Sequence, residues 1–169
     1  MIRKDQAMEI RDARSDDWAA IWPIFHAIVA EGETYEFPRD STSDQGRQLW
    51  MLDPPGRTAV VVDDHDEVVG TSHMNPNRLG QGAHVANASY MVHPDHAGRG
   101  IGRALVVDSL AWAERAGYRA IQFNAVVDTN VGAVALYQKL GFTIVGTVPE
   151  AFCSPTQGYR GLHVMHRFL

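Results

Sequence analysis

Residues 93–105 read HPDHAGRGIGRAL, directly after the small and apolar run at 86–92 and directly before a new apolar run. A strand that breaks into alternating glycines and resumes as a helix commits this part of the chain to a strand–loop–helix unit. Gly98, Gly100 and Gly102 let the backbone turn tightly and expose its N–H groups with no Cβ in the way. The helix that follows opens with unpaired N–H donors and the positive end of its dipole, which together favour an anion. Arg99 and Arg103 add positive charge at the same place. The expected occupant carries a pyrophosphate. A Walker loop needs Lys and then Ser or Thr after its last glycine, and this chain has Arg103-Ala104 there. A dinucleotide fingerprint needs a glycine three places beyond its second one; the two possible countings put Arg103 or Leu105 at that place. Neither loop fits.

A second segment, NVGAVALYQKLGF at 130–142, reads as a short helix with a defined stop. Ala133, Leu136, Tyr137 and Leu140 recur at three- and four-residue spacing, forming an apolar face. Gly141 stands where a left-handed C-terminal residue is wanted, and Phe142 can fold back on the last turn.

Together the two segments resemble the GCN5-related N-acetyltransferases. The acetyl-CoA loop of that family runs Gln or Arg, two residues, Gly, one residue, then Gly or Ala. Gly100 and Gly102 fill the small positions. Ala97 stands at the first one, a departure that removes one side-chain contact and leaves the backbone cradle. The family's second signature, Asn followed by Ala, Leu-Tyr and Lys-Leu-Gly-Phe, is matched from Asn130 to Phe142. The resemblance covers nearly the whole chain.

It implies acetyl-CoA as acetyl donor, with the pyrophosphate held by Gly98, Arg99, Gly100, Ile101, Gly102 and Arg103. The pantetheine arm would enter between splayed fourth and fifth strands and pair with the backbone of Met91, Val92 and His93. Asn130 would bond the arm from the other side, with Ala133 beside it, and Tyr137 would protonate the departing thiolate. A phenol with a pKa of about 10 holds its proton at neutral pH, so it can act as an acid without tuning. A base must take a proton from the acceptor amine. Glu31, Glu33 and Glu36 are the candidates, in a loop that lines the acceptor site in the family, and Glu33 is preferred. His73, His84 and His93 are further options, better read as surface or core histidines; their spacing gives no metal site.

Asn87 and Asn124 each interrupt an apolar strand. Asparagine is disfavoured in strands, and a buried amide needs partners. Two readings stand: the amides tie off carbonyls where the strands separate, or they bind a substrate carboxylate. The segments GTSHMNPN, HVANASYMV and FNAVVDTN resemble the branch with the fungal acetyltransferase of azetidine-2-carboxylate, which implies the second. The implied acceptor is the amine of a small molecule, an amino acid or a toxic analogue of one. A protein N-terminus or lysine is the alternative acceptor, and a non-catalytic acetyl-CoA-binding module is a third reading. Homodimers are usual in the family.

At 169 residues, the expectation is a tail over 1–7 and one acetyltransferase domain over 8–169. A net charge of −5 and a pI near 5.9 leave no basic stripe for nucleic acid. No segment approaches membrane-spanning length. The lone Cys153 allows no internal disulfide and fits a reducing, cytoplasmic setting. Strands are expected at 8–13, 57–62, 67–74, 83–92, 120–127, 142–148 and 161–168. Helices are expected from Ser15 as N-cap to 29 or 30, up to 52, up to 116, and over 130–140. The fold class that follows is mixed α/β (α+β): a mostly antiparallel sheet of six to seven strands flanked by about four helices.

Overall fold

The computed structural model describes residues 8–169; the tail expected over 1–7 lies outside them. Seven strands make one sheet: β1 (Glu9–Asp12), β2 (Arg57–Val62), β3 (Val68–Pro76), β4 (Val85–Val92), β5 (Ala120–Val127), β6 (Thr143–Ser154) and β7 (Gly158–Phe168). Their order is β1-β2-β3-β4-β5-β7-β6, and every neighbouring pair is antiparallel except β4 and β5. Four α-helices, α1 (Trp18–Glu31), α2 (Ser43–Trp50), α3 (Ile101–Arg115) and α4 (Val131–Lys139), flank the sheet. The expected fold class is the observed one.

Two local expectations are corrected. Ser15 does not cap α1, because a 3-10 turn at Ser15–Asp17 comes first. Asp17 accepts from the Arg14 N–H at 2.6 Å and from Arg11 at 2.7 and 2.9 Å, while the Ser15 hydroxyl accepts from Arg47. The Arg11 guanidinium holds the Asp17 carboxyl below its ordinary range. The last hairpin is longer than expected, since β6 continues to Ser154 and β7 begins at Gly158. The sheet absorbs Pro149 in a register shift between Val148 and Phe152.

Strand alternation sorts β3 and β4 into two faces. Met91 joins Trp18, Ile21, Phe25 and Trp50 under α1 and α2. Met74 and Ala88 join Val106, Leu110, Phe123 and Phe142 under α3 and α4. A Cβ on Gly70 would stand 2.7 Å from Ile101 Cγ2, so this glycine lets the first turn of α3 rest directly on β3. On the opposite face the Trp50 indole N–H donates to Thr71 Oγ1 at 3.0 Å, and that hydroxyl donates to the Ala59 carbonyl at 2.8 Å. Trp50 and Thr71 are wholly buried, so the indole N–H depends on that hydroxyl for its partner. Thr71→Val keeps the shape and orphans the indole N–H. It should lower unfolding free energy by about 1–3 kcal/mol, read by urea denaturation.

Candidate active site

β4 and β5 pair at only two positions, Val85↔Ala120 and Ala86↔Ile121, although each strand has eight residues. Beyond Ala86 they diverge, which is the splay that the family resemblance implies. Antiparallel ladders alternate bonded and non-bonded pairs. The His93 N–H donates to Val69 and the Asn77 N–H to Val85, so odd-numbered β4 residues spend their backbone on β3. The even-numbered residues Ala88, Tyr90 and Val92 face the gap. This corrects the expected backbone contacts: of Met91, Val92 and His93, only Val92 turns its N–H and C=O towards the opening.

Pro94 and Ala97 line the resulting cleft of ≈ 740 Å³, where β4 runs into the glycine loop. Gly98 (φ 74°) and Gly100 (φ 82°) adopt left-handed backbone with open space beside them. Gly102 does not; it lies inside the first turn of α3, and its missing Cβ leaves room beside Val92 and Leu136. The Ala104 N–H is bonded to the Gly100 carbonyl. The amides of Ile101, Gly102 and Arg103 come before it, where an α-helix has no internal partners. Arg99 and Arg103 are exposed, with Arg99 2.7 Å from His96 Nδ1. Glycine loop, free amides and open strand gap fit a pyrophosphate followed by an extended arm. Asn130 caps α4 by accepting the Ala133 N–H at 3.4 Å, and its amide lines the cleft; Ala133 does not line it.

The other half of the cleft lies over the α1–α2 face. Its floor is polar and neutral: His73 and Asn75 of β3, Asn87 and Ser89 of β4, and Asn124 of β5. Ile28, Phe37, Leu49 and Leu52 supply an apolar wall, and Glu31 and Glu36 supply carboxylates. Asn87 donates to the Gln122 carbonyl at 2.9 Å, tying off β5 where the pairing with β4 stops. Asn124 sits in a register shift of β5 against β7, accepts from Gln122 and donates to Asn77 Oδ1. A bulge of this kind re-aims a side chain. Sequence reading missed Asn75 and Asn77, which only the β3–β4 pairing brings beside Asn87 and Asn124.

Three tyrosines meet at the gap. The Tyr90 hydroxyl donates to Ser109, whose own proton goes to the Val106 carbonyl. Tyr35 donates to the Tyr90 carbonyl at 2.6 Å and accepts the Tyr90 N–H at 3.1 Å. Tyr137 packs on Phe123 at 4.6 Å and lines the cleft, and among the described residues its hydroxyl has no hydrogen-bond partner. Burial pushes its phenol above the ordinary value, so it stays protonated.

Glu33 is not among the residues that line the cleft. Its carboxylate accepts from Ser154 at 2.6 Å and Thr156 at 2.8 Å, beside a pocket of ≈ 410 Å³ that shares Glu31, Thr34 and Asn130 with the cleft. Those hydroxyls hold it below the ordinary carboxyl range, which weakens it as a proton acceptor. His73 stacks on Trp50 with 4.3 Å between ring centroids, and burial pushes it down to about 4. It is therefore neutral at pH 7. His84 is not among the cleft residues, and His93 lines a different pocket. No cluster of metal-binding side chains occurs among the described residues.

The sequence profile of the acetyltransferase (GNAT) family matches residues 14–142. The chain belongs to that family. The solved structure of a GCN5-related N-acetyltransferase from Kribbella flavida is 56% identical and superposes with a TM-score of 0.93, covering 96% of this chain and 98% of that one. An acetyltransferase from Salmonella typhimurium, solved with its cofactor acetyl-CoA, is 26% identical with a TM-score of 0.82, covering 96% and 94%. The L-amino acid N-acyltransferase MnaT of Escherichia coli is 28% identical over 85% of this chain and 84% of its own. The N-acetyltransferase aca1 of Schizosaccharomyces pombe is 32% identical over 57% of this chain, a match that spans 46% of its own length. The chain is accordingly an acetyl-CoA-dependent N-acetyltransferase. With Glu33 anchored elsewhere, Glu33→Gln should leave the acidic limb of the kcat/KM pH profile where the native enzyme has it. A displaced limb would return Glu33 to the reaction.

Proposed function

We propose that this enzyme acetylates the amine of a small amino acid or amino-acid analogue, with Tyr137 as the acid. Tyr137's uncommitted hydroxyl at the strand gap carries this reading, because the Tyr35 and Tyr90 protons are already spent. Acetyl-CoA supplies the thioester carbon that the amine attacks. Ile101, Gly102 and Arg103 bind its pyrophosphate through their amides, while Val92 and the Asn130 side chain hold the arm. As the new C–N bond forms and the C–S bond breaks, Tyr137 gives its proton to the sulfur. The amine loses its own proton through water to Glu31 or Glu36, the carboxylates that line the cleft.

Asn87 and Asn124 each have an amide hydrogen left after their bonds within the protein, and these face the acceptor as donors for its carboxylate. No Lys or Arg lines the cleft among the described residues, so amides take the place a cation would otherwise fill. The amino-acid specificity in the name of the Escherichia coli relative supports this acceptor class, within which azetidine-2-carboxylate and proline analogues are the candidates to test first. The free thiol of Cys153 supports a reducing compartment such as the cytoplasm.

A homodimer through β6 belongs to the same reading. β6 is the outermost strand, with Ile144, Val145 and Val148 exposed and Glu150 its one charged residue. Such an edge is a template for another strand. Sedimentation should give twice the 18.7 kDa chain mass, and Val145→Lys should shift it to the monomer; a native monomer would remove the dimer from this reading.

The test of function is thiol release from acetyl-CoA across azetidine-2-carboxylate, hydroxyprolines, primary amino acids, polyamines and peptides with free N-termini. Selective release with small amino acids is expected, and release only with peptides would overturn the acceptor class. Tyr137→Phe should cut kcat roughly 100-fold or more and leave acetyl-CoA affinity nearly unchanged. If affinity collapses with kcat, Tyr137 is structural.

A further inference from the structure

Tyr35 belongs to the loop between α1 and α2, on the acceptor side of the sheet, yet its hydroxyl bonds both backbone groups of Tyr90 in the β4–β5 gap. In a closed sheet those two groups would have been answered by β5. The Tyr35 hydroxyl thus takes one ladder position of the missing strand. Its ring is held by Phe37, stacked at 5.5 Å and 10°, and by Trp50, edge-on at 6.1 Å. Tyr90 lies between Ala88 and Val92, the two other residues whose backbone faces the gap. An extended arm that pairs with β4 in the gap therefore meets Val92 free and Tyr90 occupied.

We propose that the Tyr35 hydroxyl and the pantetheine arm of the donor compete for the backbone of Tyr90, making Tyr35 a positioning residue that couples the donor slot to the acceptor loop. This rests on the donor placement proposed above. When the arm takes Tyr90, Tyr35 leaves the strand, and the loop that carries Tyr35, Glu36 and Phe37 over the acceptor floor changes its hold. When Tyr35 keeps Tyr90, the loop is fixed and the donor binds with fewer hydrogen bonds. No bond is made or broken by Tyr35; its contribution is to the order and strength of binding.

The test uses the full chain and acetyl-CoA as the probe, with calorimetric titration of native enzyme, Tyr35→Phe, Phe37→Leu and Gly102→Leu. Tyr35→Phe keeps the ring and deletes the hydroxyl, so acetyl-CoA should bind about two- to tenfold more tightly, the worth of one ordinary hydrogen bond. Without acetyl-CoA, the Tyr90 amide should exchange its hydrogen faster than in the native enzyme. Phe37→Leu loosens the loop but keeps the hydroxyl, and should bring no gain in affinity; an equal gain there would overturn the proposal, because a slack loop would explain both. Unchanged or weaker binding by folded Tyr35→Phe would also overturn it. Gly102→Leu fills the space beside Val92 and should abolish binding. If Gly102→Leu loses acetyl-CoA and Tyr35→Phe shows no gain, only the competition falls. If Gly102→Leu still binds, the donor placement itself falls.

Discussion

Where β4 and β5 part after two residue pairs, the middle of the sheet is left with backbone donors and acceptors that no strand answers. Unpaired peptide groups inside a protein are costly, and much of the surrounding structure is arranged to meet that cost or make use of it. Asn87 closes the carbonyl of Gln122, and Tyr35 closes Tyr90. The groups that remain open, on Ala88 and Val92, line the same cleft as Pro94 and Ala97, which lead into the glycine loop before α3. Gly70 brings that helix against β3 and so fixes where its first amides point. A polar slot through the sheet is thus a property of the backbone, with side chains deciding which parts of it stay open.

The acceptor half depends on contacts of long range. The loop after α1 is fastened at one end by Glu33 to the β6–β7 hairpin, and a few residues on by Tyr35 to β4. The hairpin therefore shapes a site to which it contributes no reacting group. If β6 also pairs with a second copy, assembly and acceptor recognition share one structural element.

What the sequence disclosed was mainly local. Glycine spacing and apolar periodicity located the glycine loop, all four helices and seven strands, because each signal lies within a dozen neighbouring residues. Tyr137, which lines the cleft, lies on one of those helices. The anchoring of Glu33 was not legible because its partners, Ser154 and Thr156, are 121 and 123 residues away, and a loop carboxylate looks alike whether anchored or free. Met91 and His93 were misread because the direction of a peptide group depends on how β4 pairs with β3, which one strand cannot tell. Tyr35 carried no signal at all: an aromatic residue in a polar loop acquires meaning only when that loop crosses the gap.

The bulge at Asn124 reverses the phase of β5. Ile121, Phe123 and Val126 pack into the core beneath α3, whereas Ala125 and Val127 join Phe152 and Leu162 in another cluster. Strict alternation would have placed Ala125, not Val126, on the first of those faces. Deleting one residue at the bulge would exchange the surroundings of every side chain from there to the end of the strand, while a substitution changes one. Among descendants of such a chain, acceptor preference has two routes open to it: gradual drift by replacement along the floor, and an abrupt jump by insertion or deletion at this one point.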